Sequence, residues 1–147
     1  MKRREAQPMS ATEPTFEGQE MDFNEVAKEN FKTWNAALAT GDAQVVAQLY
    51  TDRSTFLPTL SRDFKKGQAG AEEYFLHFLQ KKPVGRVTEE EVEPLGPFSY
   101  LHSGKYEFTV GPDEKREEVS ARFSYVWKQN KEGEWKIVHH HSSLEPE

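Results

Sequence analysis

The chain has 147 residues, enough for one ordinary domain, and it contains no cysteine, which excludes disulfides, thiol nucleophiles and thiolate metal sites. Its formal net charge of -6 at pH 7 gives no general attraction to nucleic acid or acidic lipid, so we expect neither partner. The N-terminus is polar and no apolar run reaches the ~18 residues of a membrane span, so we expect a cytoplasmic protein without a membrane segment or secretory signal.

Residues 1–20 differ in composition from the rest of the chain. They carry Pro8, Pro14 and Gly18 among mostly small or charged side chains, with no hydrophobic repeat. Such a segment cannot bury enough surface to offset the entropy of ordering it. We therefore predict a flexible tail over residues 1–20 and a folded domain over residues 21–147.

Three segments of the domain have apolar residues at helical spacing. The first starts at Asp22, which forms a capping-box-like signal with Glu25, and stops at Gly41. The second starts at Asp42, and the third runs from about 68 to 82, where Pro83 ends it. The sequence thus predicts three helices, the first two forming a hairpin.

After the third helix the apolar period falls to two. This alternation predicts strands over about 84–95, 98–110, 119–127 and 135–141, joined by tight turns, and a short extended segment at 54–58 precedes a polar loop. Three helices followed by about four hairpin-joined strands predict an α+β fold, in which the helices pack on the concave face of a strongly curved antiparallel sheet. Such a sheet forms a cone with a pocket inside.

Several short motifs resemble one known family. The stretch Ala37–Asp42 (Ala-Leu-Ala-Thr-Gly-Asp) and the stretch Thr55–Pro58 (Thr-Phe-Leu-Pro) resemble the helical hairpin and first strand of the association, or hub, domain of calcium/calmodulin-dependent protein kinase II. The segments Tyr125–Trp127 and Gly133–His141 resemble the last hairpin of that domain. The resemblance spans about residues 24–143, and the same motifs are similar to the wider SnoaL-like and nuclear-transport-factor-like group of cone-shaped domains.

The resemblance implies self-assembly. Hub domains pair through their sheets, and the pairs close into a ring that displays kinase domains, so we expect a homo-oligomer, with a kinase or peptide as a further partner. The pocket of that family carries arginines where this sequence has Tyr125 and Ser142, with Lys105 as the nearest basic substitute. We therefore expect small organic anions to bind weakly, because a tyrosine hydroxyl cannot replace a bidentate arginine contact.

The run His139-His140-His141 lies in the last predicted strand. Strict alternation places His139 and His141 on one face, where two imidazoles could ligate a metal, but the sequence fixes no third ligand. The alternative is that these rings pack or form hydrogen bonds at the pocket mouth. We favour that alternative and predict no metal and no cofactor.

The predicted pocket has polar groups inside an aromatic cone, as small-molecule sites commonly do. Its members are Tyr74, Tyr125, Arg122, His139 and His141. Alternation places Arg122 opposite Tyr125 unless a bulge intervenes. Tyrosine and histidine could transfer protons as in SnoaL-like lyases and isomerases, but the local sequence shows no general-base dyad or nucleophile elbow, so we assign no catalytic residue.

Positions of the opposite parity predict a mixed, partly apolar outer face of the sheet. Its members are Leu101, Ser124, Val126, Val138 and His140. Because three helices can cover only one face of the sheet, this surface suits a two-fold contact between copies.

Two functions of different class follow from these observations. The first is an oligomerisation hub that forms dimers and then a ring. The second is a small cofactor-free enzyme or binding protein of the SnoaL-like type, which holds a hydrophobic ligand in the cone. One fold serves many functions, so the fold does not choose between them, and the resemblance favours the hub.

Overall fold

The structure, a computed structural model, describes residues 15–16, 19–20 and 21–147. At the start of this range, strand β1 (Thr15–Phe16) pairs antiparallel with β2 (Gln19–Glu20). The rest of the predicted tail, residues 1–14 and 17–18, lies outside the described residues. The flexibility of the tail therefore stays a prediction.

Three helices form where the apolar periodicity predicts them. The first begins where the Asp22 carboxylate accepts hydrogen bonds from the backbone N–H groups of Asn24 and Glu25, at 3.0 and 3.3 Å. Asp42 caps the second in the same way, through the N–H of Gln44 at 2.9 Å. The bounds are α1 (Phe23–Ala39), α2 (Ala43–Ala47) and α3 (Gly67–Phe78), the last continuing into a 3-10 turn (Leu79–Lys81).

Six strands form one curved sheet in the order β4-β3-β8-β7-β6-β5. Their bounds are β3 (Tyr50–Leu57), β4 (Lys65–Lys66), β5 (Val84–Gly96), β6 (Ser99–Val110), β7 (Glu117–Gln129) and β8 (Trp135–Leu144). The predicted α+β cone is confirmed, but the sheet is not fully antiparallel, because β3 pairs parallel with β8. This pairing joins strands that are far apart in sequence, so no turn motif in the sequence indicates it.

A β-bulge in β8 decides which way the histidine run faces. Ile137 and His139 pair with consecutive residues of β7, so Val138 between them is an extra residue. Beyond this point the inward positions change from odd to even numbers, and His140 and Ser142 are buried.

A second bulge lies in β5. The partners of Val87 and Glu89 are consecutive residues of β6, so Thr88 is the extra residue on that strand. Gly104 of β6 lies against this bulge, and a Cβ atom there would collide with the backbone carbonyl oxygen of Glu89. The glycine therefore allows a close approach that other residues would block.

The core between the helices and the sheet is largely aromatic. Trp34 of α1 is 1% exposed and lies at its centre. The rings whose centroids lie between 5.7 and 6.5 Å from it are those of Phe75, Tyr106, Phe108, Tyr125 and His140. Large rings that meet in this way hold the helices at a fixed height above the sheet.

Candidate functional site

The cone holds a cavity of about 50 Å³ between α3, the loop after β3 and the inner face of the sheet. Its walls are mainly aromatic, and its polar groups are those of Thr59, Tyr74, Tyr106, His140 and Ser142. Lys81 is the one charged residue among the described residues that line it. The cavity opens beside Lys81 and Leu60, whose side chains are both exposed.

His140 is the most confined polar residue of the site, with 1% of its surface exposed. Its ring lies between Phe56 and Tyr125, with centroid separations of 4.6 and 4.1 Å and interplanar angles of 8° and 20°. Because both faces of the imidazole are stacked, only its two nitrogens remain for polar contacts.

Both nitrogens of His140 belong to a chain of hydrogen bonds. Nδ1 lies 2.9 Å from the hydroxyl of Tyr50, which accepts a hydrogen bond from the Trp34 indole N–H at 3.2 Å. Nε2 lies 3.2 Å from the hydroxyl of Tyr106. The Tyr106 hydroxyl in turn donates to Oγ of Ser142 at 2.6 Å.

The chain of hydrogen bonds ends at the cavity wall. The hydroxyls of Ser142 and Thr59 form a hydrogen bond with each other. Beside them, the Tyr74 hydroxyl donates to the backbone carbonyl of Thr59 at 3.2 Å. The chain thus connects the centre of the core to the loop that follows β3.

Burial keeps the groups in this chain of hydrogen bonds uncharged. Desolvation lowers the pKa of His140 well below its ordinary value, and the nearby His139 and His141 lower it further. Burial raises the pKa of three phenols on or beside the chain, those of Tyr50, Tyr74 and Tyr106. At neutral pH the cavity therefore offers hydrogen-bonding groups without a charge on any member of the chain.

The fold and the sequence both match a known family. The family model for the calcium/calmodulin dependent protein kinase II association domain matches residues 23–146. The chain belongs to this association-domain family. This membership confirms the resemblance that the sequence motifs indicated.

One solved structure supports the same placement, and two others share the fold. A Xanthomonas campestris protein assigned to this association domain is 36% identical, with a TM-score of 0.81, and the match covers 96% of this chain and 99% of that one. An NTF2-like superfamily protein from Salmonella enterica serovar Typhimurium is 17% identical, with a TM-score of 0.69 and coverage of 84% and 91%. A ketosteroid isomerase-like protein from Erwinia carotovora atroseptica is 14% identical, with a TM-score of 0.66 and coverage of 84% and 96%.

The last two likenesses show the fold alone, which is the NTF2-like cone. No curated protein matches the chain.

Most of the residues that the sequence placed in the pocket lie elsewhere in this association domain. Tyr74 lines the cavity. Tyr125 faces inward but is fully buried behind His140 and does not reach the cavity. Arg122 is exposed on the outer face, where its guanidinium donates to Oγ of Ser143 at 3.2 Å. Strict alternation along β7 thus decides the side that Arg122 faces.

The faces predicted for the histidine run are corrected by the bulge at Val138. His139 and His141, predicted to face the pocket, lie on the outer face. His140, predicted to lie in an outer interface, lines the cavity. The Nδ1 atom of His139 is 2.7 Å from Oγ1 of Thr55, on the neighbouring strand. The prediction assumed strict alternation, and one extra residue reverses every later position of a strand.

Three other residues of the predicted outer face lie where the sequence placed them. Leu101, Ser124 and Val126 are half-buried on the outer face, opposite the inward aromatic residues of β6 and β7. Lys105, the nearest basic substitute for a family arginine, also lies outside and pairs with Glu145 at 2.9 Å. It therefore supplies no positive charge to the cavity.

The sequence analysis missed two residues that end the hydrogen-bond chain. Ser142 stands where the resembled family has an arginine, and that position was the available signal for its role. Thr59 lies in a loop without periodicity, so no pattern indicated it. Both hydroxyls reach the cavity only because the parallel pairing of β3 and β8 brings them together.

A second buried histidine lies away from the cavity. His102 of β6 contacts Glu90 of β5, with 2.8 Å between Nε2 and Oε1. Burial lowers the pKa of His102, although the neighbouring carboxylate acts in the opposite direction. The sequence analysis did not find this pair, because an irregular pairing between Pro94 and Gly96, near the hairpin turn, shifts the register of the two strands.

In the described part of the chain, no three His, Cys, Asp or Glu side chains are placed to hold a metal ion. Among the same residues, no helix is long and apolar enough to cross a membrane.

Proposed function

We propose that this protein is an assembly module, whose copies pair through the outer face of the sheet and whose pairs close into a ring. Membership of the association-domain family supports the proposal. The observation that carries it is the apolar centre of an outer sheet face that no described helix covers.

The centre of the outer face lies on β6, β7 and β8. Leu101 and Val126 are direct cross-strand partners, and Val138 follows on the next strand. All three side chains are half-buried within the single chain. The described helices pack against the inner, aromatic face. These apolar groups therefore remain partly exposed to solvent unless another protein surface covers them. An uncharged apolar centre with a polar rim is typical of contacts between identical subunits.

Charged residues surround this apolar centre. Glu91 and Glu93 are on the β5 side, level with Ser103 and Leu101 of β6. Lys105 of β6 and Arg122 of β7 are cross-strand partners that lie farther along the strands. Charged groups around an apolar centre are the arrangement expected of a contact between two copies.

Closure into a ring requires a second contact that differs from the first. Lys65 and Arg86 lie where such a contact could form, but both already form ion pairs within the chain. Lys65 contacts Glu73 at 2.7 Å, and Arg86 forms an ion pair with Glu107. The ring contact therefore depends on other groups at the helical side and the hairpin ends.

Native mass spectrometry of the full chain at micromolar concentration tests both levels of assembly. We expect even-numbered oligomers larger than a dimer. Val126→Glu should yield monomers, because it leaves an unpaired charge in a dry contact at a cost of about 3 kcal/mol or more. Leu76→Glu, at a 55% exposed position on α3, should keep the dimer. A monomer of the unmodified chain would contradict the whole proposal, and a simple dimer would retain the sheet contact and reject the ring.

The cavity itself does not favour the enzymatic alternative. Both nitrogens of His140 are occupied, and no carboxylate is present among the described residues that line the cavity. General acid–base catalysis needs a group that can reach the substrate and titrate near the working pH. A volume of about 50 Å³ is also well below the ~150 Å³ that accommodates benzene, so a polyketide-sized substrate does not fit.

A further inference from the structure

The direction of every hydrogen bond in the buried chain follows from which groups can only donate. The Trp34 indole N–H has no acceptor capacity, so Tyr50 must accept from it. The proton of the fully buried Tyr50 hydroxyl then has one acceptor within reach, Nδ1 of His140. A neutral imidazole that accepts at Nδ1 carries its proton on Nε2 and donates it to Tyr106.

The remaining protons can be placed in the same way. Tyr106, which accepts from His140, donates its own proton to Ser142. Ser142 and Thr59 have two hydroxyl protons between them and one mutual hydrogen bond. One O–H donor of this pair is therefore left over, and it lies at the cavity wall. An unused donor in a mostly apolar site is free to bind a ligand acceptor.

We propose that the cavity binds a small uncharged carbonyl compound, a ketone or an aldehyde, whose oxygen accepts the free hydrogen bond of the Thr59–Ser142 hydroxyl pair. The aromatic walls take the apolar part of this ligand, and its tail extends towards the mouth beside Leu60 and Lys81. This proposal does not depend on assembly. Ligand binding can therefore be disproved while the proposed hub function stands, and the hub function can be disproved while ligand binding stands.

The walls select against a negatively charged ligand. A carboxylate in the cavity would lose its water and gain one hydroxyl donor, without a buried cation beside it. The ammonium group of Lys81 belongs to an exposed side chain at the mouth and stays in water. Apart from Lys81, the described residues that line the cavity carry no positive charge, so the cavity chemistry departs from that of an anion site.

The backbone at the mouth supports a ligand-binding role for this wall. Leu60 follows Thr59 directly and has a φ of 66°, a left-handed conformation that is uncommon for a residue with a side chain. Its side chain is 72% exposed although it lines the opening. Uncommon backbone conformations persist where the surroundings hold them, and they concentrate at ligand sites.

Two ligands of the same shape test the proposal on the intact chain by NMR titration. We use acetone and acetate, which differ in that a methyl group replaces one carboxylate oxygen. We expect acetone to give saturable shifts of the Trp34 indole and Ser142 amide signals, and acetate to bind at least about tenfold more weakly. Equal or tighter binding of acetate would overturn the proposal, as would the absence of saturable shifts with acetone.

A double variant tests the hydroxyl pair directly. Thr59→Val with Ser142→Ala removes both donors and should weaken acetone binding about three- to tenfold. The matched control is Ser143→Ala, one residue along the same strand and on the outer face, which should bind as the unmodified protein does. Unchanged binding by the double variant would overturn the proposal. If the double variant does not fold, the comparison of the two ligands still decides the question.

Discussion

The ring centroids of His140 and Tyr125 lie 4.1 Å apart, and the angle between the two ring planes is 20°. Phe56 covers the opposite face of the imidazole at 4.6 Å. A polar ring is thus enclosed in an aromatic stack, and its nitrogens satisfy the hydroxyls of Tyr50 and Tyr106. The stack and the hydrogen-bond chain depend on each other, which makes His140 the residue through which they can be tested together.

Replacing His140 by alanine should lower the free energy of unfolding by about 3–5 kcal/mol, because it opens a void in the stack and leaves two buried hydroxyls without their partner. His77→Ala, at an exposed position on α3, is the control and should change it by less than about 0.5 kcal/mol. Urea unfolding at one protein concentration measures both, since assembly makes apparent stability depend on concentration. Equal effects of the two variants would contradict the role given to His140.

Stability should fall as the pH drops below about 6.5. The folded-state pKa of His140 is well below its unfolded value, so the unfolded chain binds the proton first and is favoured in acid. The pKa values of His102 and His139 are lowered as well, and they act with the same sign. Each such histidine contributes up to ~1.4 kcal/mol per pH unit between its two pKa values.

The check on this pH dependence is urea unfolding between about pH 5.5 and 7.5, the range in which an unperturbed histidine titrates. At the acidic end of this range, the dependence of stability on pH should decrease in His140→Gln by the equivalent of about one bound proton. An unchanged pH dependence in this variant would show that His140 does not provide the linkage.

Two tyrosines in contact with His140 should respond oppositely to loss of their hydroxyls. Tyr50→Phe leaves the Trp34 indole N–H and the imidazole Nδ1 buried without partners, so it should destabilise by about 1–3 kcal/mol. The hydroxyl of Tyr125 is buried with no hydrogen-bond partner among the described residues. Tyr125→Phe should therefore be neutral or stabilise by up to ~1 kcal/mol. Thermal unfolding of the two variants in parallel decides it, and a larger loss in Tyr125→Phe would refute the assignment.

Gly104→Ala should destabilise the β5–β6 hairpin strongly. Its Cβ atom would meet the backbone of Glu89 at the bulge, and a backbone group cannot move aside without breaking the ladder. The matched control is Gly96→Ala at the other end of β5, where the nearest atom to a new Cβ lies at 3.8 Å. We expect a loss of about 3 kcal/mol or more for the first and less than about 0.5 kcal/mol for the second, measured by urea unfolding. Similar midpoints would contradict the close approach.

The parts of the fold that depend on neighbouring residues were predictable from the sequence. The capping of α1 by Asp22 and the inward row of β6 follow from local spacing, and both agree with the structure. The bulge at Val138 was not predictable, because a valine there fits strict alternation as well as it fits a bulge. The hydroxyl pair of Thr59 and Ser142 depends on a parallel pairing between distant strands, which local patterns do not specify.

The bulge at Val138 ties the inside of the cone to its outside. If the bulge straightened without a change in strand length, His140 and Ser142 would turn towards the surface and their neighbours His139 and His141 towards the cavity. Deleting Val138 itself would instead remove the extra residue and leave both pairs facing as they do now. One extra residue in the middle of β8 therefore determines which side chains of the last strand form the cavity wall and which belong to the proposed subunit contact.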